Sequence, residues 1–209
     1  MHSGFPEHVT VLVGVSLKGK AVAGVINQPF WGEEGRSVWG LIGLGARGFT
    51  PASCSAEGEG LVITVTRSHM SKPVQDTLDV LKPTKVRVPL YQHTLLCSLM
   101  LLYSNIHLLS LQQLVRAGGC GNKILKLLEG EVDAYVYPSI GTKKWDSCSG
   151  EAIVHSLGGR LTDILGDNLE YKSGRENYMN KRGLLVTMKN HDAILTKIPE
   201  HVREKFSAQ

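Results

Sequence analysis

The chain has 209 residues, of which 42% are hydrophobic and 20% charged, enough for the core of one domain or of two small ones. Its formal net charge of +4 comes from scattered Lys and Arg, with no basic run longer than a pair such as Lys143-Lys144. That excludes the basic stripe with interleaved aromatics of a nucleic-acid binder and leaves room for a small anionic ligand such as a phosphate ester.

The first element reads as a β-hairpin. Val9 to Val15 is rich in β-branched residues, Lys18-Gly19-Lys20 is a turn, and Ala21 to Ile26 returns to Asn27-Gln28-Pro29. Trp39 to Gly45 follows as an apolar strand spaced by glycines, and Leu61 to Thr66 as a short strand leading into Arg67-Ser68-His69. Lys72 to Leu81 has helical spacing, and Lys85 to Val88 reads as a strand. From Val88 to Val115 no residue is charged. A transmembrane helix needs about 20 predominantly apolar residues, so length permits one. Gln92, His93, Asn105, His107, Gln112 and Gln113 interrupt the apolar face, however, and Pro89 stands at its entry, which argues against a membrane span. Beyond it, Gly118-Gly119-Cys120-Gly121-Asn122-Lys123 opens a helix over Ile124 to Leu128, and Val132 to Tyr137 is a strand. A helix from Trp145-Asp146 runs to Leu157 and stops at Gly158-Gly159; Arg160 to Ile164 and Gly183 to Thr187 are strands. Strands alternating with helices indicate a layered α/β sheet protein.

Cys54, Cys97, Cys120 and Cys148 form no CxxC and no Cys/His zinc spacing, so they read as reduced thiols of a cytosolic protein. The opening MHSGFPEHVTVLVGV has neither the basic region nor the cleavage site of a signal peptide.

Three places carry candidate chemistry. In GGCGNK (118–123) the glycines let backbone N–H groups approach an anion at a helix start, and Lys123 adds a positive charge. The spacing is not that of a Walker A loop, and a plain glycine-rich turn is the competing reading. Asp146 at the next helix start is either an N-cap or a carboxylate ligand for a hard cation, and one role does not preclude the other. Thr66 to His69 lies at the end of a strand, where hydroxyl and imidazole groups suit ligand contacts in α/β sheets; a packing or surface histidine is the alternative. There is no GxSxG elbow, and the glycines of GLIGLG (40–45) do not follow the dinucleotide order.

These motifs resemble the inositol monophosphatase superfamily, the lithium-sensitive magnesium phosphatases. WDSCSGEAIVHSLGGRLTD (145–163) is similar to its second signature. VTVLVGVSLKGKAVAGVINQPF, TVTRSHMSK, GGCGNKILKLLEGEVDAYV and the KKWD run resemble, more narrowly, the 3′(2′),5′-bisphosphate nucleotidases, in the family's order. The resemblance implies the layered α/β sugar-phosphatase fold and Mg²⁺-dependent removal of the 3′-phosphate from adenosine 3′,5′-bisphosphate and related nucleotides. It also implies a small nucleotide bisphosphate as partner and a cytoplasmic location. By matching motif, Asp146 is a metal ligand, and Thr66, His69, Gly119 and Lys123 contact the nucleotide.

Two departures follow from the same resemblance. The family's upstream Glu and Asp-Pro-x-Asp-Gly-Thr signature, which supply most of the metal ligands and help to activate the water, have no counterpart here. The fold is therefore expected to be incomplete at the N-terminus, with 1–60 a remnant of the first sheet region and 61–209 a C-terminal α/β domain. In relatives the strand matching Lys85 to Val88 runs almost directly into the glycine loop, whereas here the uncharged segment 89–114 intervenes, as in a splice variant or a misplaced exon boundary. The alternative to a phosphatase is a non-catalytic nucleotide-binding or interaction isoform.

Overall fold

In this computed structural model the structure describes residues 6–51, 61–66, 71–82, 114–174 and 178–207. After a 3₁₀ turn at Pro6–His8, four strands form an antiparallel sheet in the order β1-β2-β3-β4: β1 (Val11–Leu17), β2 (Lys20–Gln28), β3 (Arg36–Leu41) and β4 (Gly45–Arg47). The β1–β2 turn places Lys18 and Gly19 at positive φ (52° and 78°), the two-residue hairpin geometry that follows the twist of the strands. The strand expected over Trp39 to Gly45 is instead two: β3 begins three residues earlier and turns at Ile42–Leu44, so that Leu41 pairs with Gly45.

A second, mixed sheet has the order β6-β5-β7-β9-β8 among the described residues. Its strands are β5 (Ile63–Thr66), β6 (Leu114–Ala117), β7 (Ala134–Tyr137), β8 (Arg160–Thr162) and β9 (Leu184–Thr187). β5 runs parallel to β6 and β7, while β9 runs antiparallel to β7 and β8. Between the sheets lie α2 (Cys120–Leu128) and α3 (Lys144–Ser156); α1 (Lys72–Leu81), α4 (His191–Leu195) and α5 (Glu200–Ser207) cover the far face of the second sheet. The period-two alternation of β7 explains its complete burial: Tyr135 and Tyr137 join the core with α2, α3 and the first sheet, while Ala134 and Val136 join the core with α1 and α5. The layered α/β fold follows. Apolar residues of both anticipated regions, such as Ile26, Val38 and Ala46 with Ile124, Ile153 and Leu184, share one of these cores.

The first sheet seats α3 on a row of glycines. Gly14 pairs with Gly24, Gly24 with Gly40, and Gly40 with Ala46, so one register position of all four strands is nearly bare. A Cβ at Gly14 would lie 2.7 Å from Cys148 Sγ, one at Gly40 would lie 3.0 Å from Ile153 Cα, and one at Gly24 would collide with the Ser149 carbonyl oxygen. The helix backbone is therefore in direct contact with the sheet. The opposite face of this sheet is apolar and open: Val11, Val13, Val15 and Trp39 are 53%, 56%, 52% and 45% exposed, the last three around a shallow concavity of about 260 Å³.

Local signals account for α1, whose bounds match the sequence reading: Ser71 stands at the N-cap, Pro73 in the first turn, and Lys82 ends the helix in the left-handed conformation (φ 41°). α2 begins at Cys120, not Ile124, so four residues of GGCGNK are helical and the loop proper is Gly118-Gly119. The strand expected over Lys85 to Val88 and the uncharged segment up to Gln113 lie outside the described residues. Leu114, the last residue assigned to that segment, opens β6, the strand that leads directly into the glycine loop. α4 and α5 were not anticipated. With two buried residues each, they present too short an apolar stripe to read as helices. Among the described residues no helix is long and apolar enough to cross a membrane.

Candidate functional site

The site forms where three elements end or begin together. Thr66, the last residue of β5, pairs with Ala117, the last of β6, so the backbone of Thr66 lies beside the start of the glycine loop. The side chain of Thr66, and His69 as a whole, lie outside the described residues. Gly119 is the N-cap of α2 at φ 69° and ψ 145°, a conformation essentially confined to glycine that costs a residue with a Cβ about 1–3 kcal/mol. From it the first turn of α2 aims N–H groups that have no partner within the helix, together with the positive end of the helix dipole. The 3₁₀ turn and the start of β1 close the other side: a Cβ at Gly118 would lie 3.7 Å from that of His8, and one at Gly121 would lie 2.7 Å from Thr10 Oγ1.

Lys123 is 4% exposed. Its Nζ donates to the Gly119 carbonyl at 3.1 Å and sits 5.0 Å from the centre of the Tyr135 ring. Burial lowers its pKa from the ordinary lysine value, while the neighbouring Cys120 and Asp146 favour the charged form. Burial also pushes the Cys120 thiol up to about 11, against Lys123, and holds the Tyr135 phenol well above its usual range. Asp146 is among the charges that act on Lys123, Cys120 and Tyr135, and α2 and α3 are in contact with each other. An anion in the glycine loop would favour charged Lys123, coupling binding to proton uptake.

Asp146 is not the N-cap. That position is Lys143, and Asp146 is the third residue of α3, its Oδ2 accepting the Lys143 N–H at 2.8 Å. That bond fixes the carboxylate at the helix start through one oxygen, and the Asp146 N–H donates in turn to the Lys143 carbonyl at 2.9 Å. Farther along α3, Glu151 is buried and accepts a 2.5 Å hydrogen bond from the Tyr171 hydroxyl. Five residues on a helix turn Glu151 about 140° away from Asp146, so the two carboxylates do not face one ion. Among the described residues no group of three His, Cys, Asp or Glu side chains converges to hold a metal. Magnesium takes oxygen donors in near-octahedral geometry, and the described donor set does not complete such a site around Asp146.

Thr66, Gly119, Lys123 and Asp146, which are scattered in sequence, therefore meet around one glycine loop. His8, Thr10, Gln28 and Asn122 were missed. The available signal was Gly121, since a glycine inside a helical turn marks a close approach, here by Thr10 and by Leu12.

The sequence matches the Inositol monophosphatase family over residues 3–203. The chain belongs to the inositol monophosphatase family. Among curated members, human 3′(2′),5′-bisphosphate nucleotidase 1 is 39% identical over 207 residues, covering 96% of this chain and 57% of that protein. The rat protein of the same name is 37% identical with the same coverage. This family member thus spans a little over half the length of the curated relatives it matches. The crystal structure of Staphylococcal IMPase-II superposes with a TM-score of 0.67 at 13% identity, covering 98% of this chain and 69% of that one, so the two share a fold.

Proposed function

We propose that this chain serves a phosphatase removing the 3′-phosphate from adenosine 3′,5′-bisphosphate and related nucleotides, with Mg²⁺ as cofactor. The observation that carries the proposal is the presence of the Gly118-Gly119 loop and Lys123 at the start of α2 and of Asp146 at the start of α3, the helix that α2 packs against, in a family whose members include bisphosphate nucleotidases. The loop's N–H groups and Lys123 would take a nucleotide phosphate, with Thr66 and His69 contributing from the end of β5. Asp146 would offer one carboxylate to an ion that takes its other oxygens elsewhere, the substrate phosphate included. The unpaired thiols Cys120 and Cys148 suit a cytoplasmic setting.

Purified chain is expected to release phosphate from adenosine 3′,5′-bisphosphate only with Mg²⁺. Asp146→Asn is expected to lower the rate at least ~100-fold, since a metal's charge stabilisation is worth several kcal/mol and each 1.36 kcal/mol is tenfold. The alternative reading is nucleotide binding without turnover. Folded protein that binds the nucleotide but releases no phosphate would select it.

A further inference from the structure

Gln28, the last residue of β2, has no exposed surface and uses both ends of its amide. Its Nε2 donates to the Glu7 carbonyl at 2.8 Å and toward Asn122 Oδ1 at 3.4 Å, and its Oε1 accepts from Arg36 Nε at 2.6 Å. Arg36 lies 3.7 Å over the Trp31 ring and forks onto both oxygens of Glu129, the C-cap of α2. Asn122, 4% exposed, passes the connection on: its Nδ2 donates to the Gly118 carbonyl at 3.4 Å. A polar relay thus runs Glu129–Arg36–Gln28–Asn122–Gly118, with a branch to Glu7, the residue before His8. It grips the glycine loop from one side and the 3₁₀ turn facing that loop from the other.

A buried glutamine can be merely a satisfied core residue. Against that, each of its three partners belongs to a different element, and two of them border the anion loop. The residue type also fits: one amide supplies two donors and an acceptor, which neither Glu nor Met can reproduce. We propose that Gln28 is a positioning residue for the phosphate loop, holding Gly118-Gly119 through Asn122 and the Glu7–His8 turn through its carbonyl. This role rests on the reading of the loop as a nucleotide-phosphate site.

The test compares wild type with Gln28→Glu, which keeps the acceptor for Arg36 but loses both donations, and with Asn122→Asp, which loses the bond to Gly118. Amide hydrogen exchange is read in the free proteins, and adenosine 3′,5′-bisphosphate binding by calorimetry. Exchange at residues 118–122 is expected to accelerate about tenfold in both variants, the value of one buried hydrogen bond, with β7 and β9 unchanged. The nucleotide's affinity is expected to fall by a similar factor. Unchanged exchange at 118–122, or acceleration spread evenly over the sheets, would overturn the positioning role. So would Gln28→Glu protein that binds as tightly as a binding-competent wild type, leaving the site assignment intact. Wild type that binds no nucleotide would overturn the site assignment itself, and the positioning role with it.

Discussion

Gly24→Val is expected to yield no stably folded protein. The position sits mid-ladder, with Gly14 on one side and Gly40 on the other, and any Cβ there runs into the Ser149 carbonyl of α3. Overpacking a core commonly costs 1–3 kcal/mol when side chains can give way. Here the obstacle is helix backbone, so the cost should exceed ~3 kcal/mol for valine, and alanine should already be strongly destabilised. Urea unfolding followed by far-ultraviolet circular dichroism measures it. Gly32→Ala is the control: the site is open, with nothing within 4 Å, and should cost only about 1 kcal/mol for its positive φ. Gly24→Ala protein as stable as wild type would mean that α3 does not rest on the strands at this point.

Glu151→Gln is expected to stabilise the protein at alkaline pH and to do nothing in acid. Burial pushes the Glu151 pKa from 4.5 up to about 7, opposed by the Tyr171 hydrogen bond and the nearby Lys144. With the folded value above the unfolded one, the native state holds a proton that the unfolded chain releases between these two values. Stability from this group is complete below about pH 4.5 and is lost as pH rises to about 7. The amount lost is on the order of 3 kcal/mol. Burial shifts His155 and His191 the other way, His191 to about 4, so their contribution falls in acid instead. His191 is present in both proteins and cancels in the difference, whereas His155, whose Nδ1 lies 3.9 Å from Glu151 Oε1, loses that neighbour in the variant. The stability gap between Glu151→Gln and wild type should therefore open between pH 4.5 and 7 and stay level above. A gap that does not vary with pH would show that Glu151 ionises as it would in water.

Both predictions concern features that the sequence discloses unevenly. α1 is legible because its signals are local: Pro73 in the first turn and apolar residues Val74, Leu78 and Leu81 on one face. The β1–β2 hairpin is legible because Lys18-Gly19 marks its turn. The glycines of the first sheet read as strand punctuation, and their alignment appears only once strand register is known. GGCGNK and KKWD stand out as motifs, yet the sequence does not say that Lys123 folds back onto Gly119 or that Asp146 belongs to the third helical position. The Gln28–Asn122 contact spans 94 positions and carries no periodic signal at all. Lys85 to Val88 lies outside the described residues, and Leu114–Ala117, which shares its pattern x-Val-Arg-apolar, is the strand that pairs with β5 and leads into the glycine loop.

The open side of the first sheet bears on how the protein behaves in bulk. Attraction between such apolar surfaces strengthens on warming from the cold and with excluded salts such as sulfate. The solubility ceiling should accordingly be lower in warm, sulfate-rich buffer than in cold, dilute buffer, the reverse of most solutes. Trp39 stands in the middle of that surface. Its fluorescence should move to shorter wavelength as the ceiling is approached, reporting coverage of the face before any turbidity is seen.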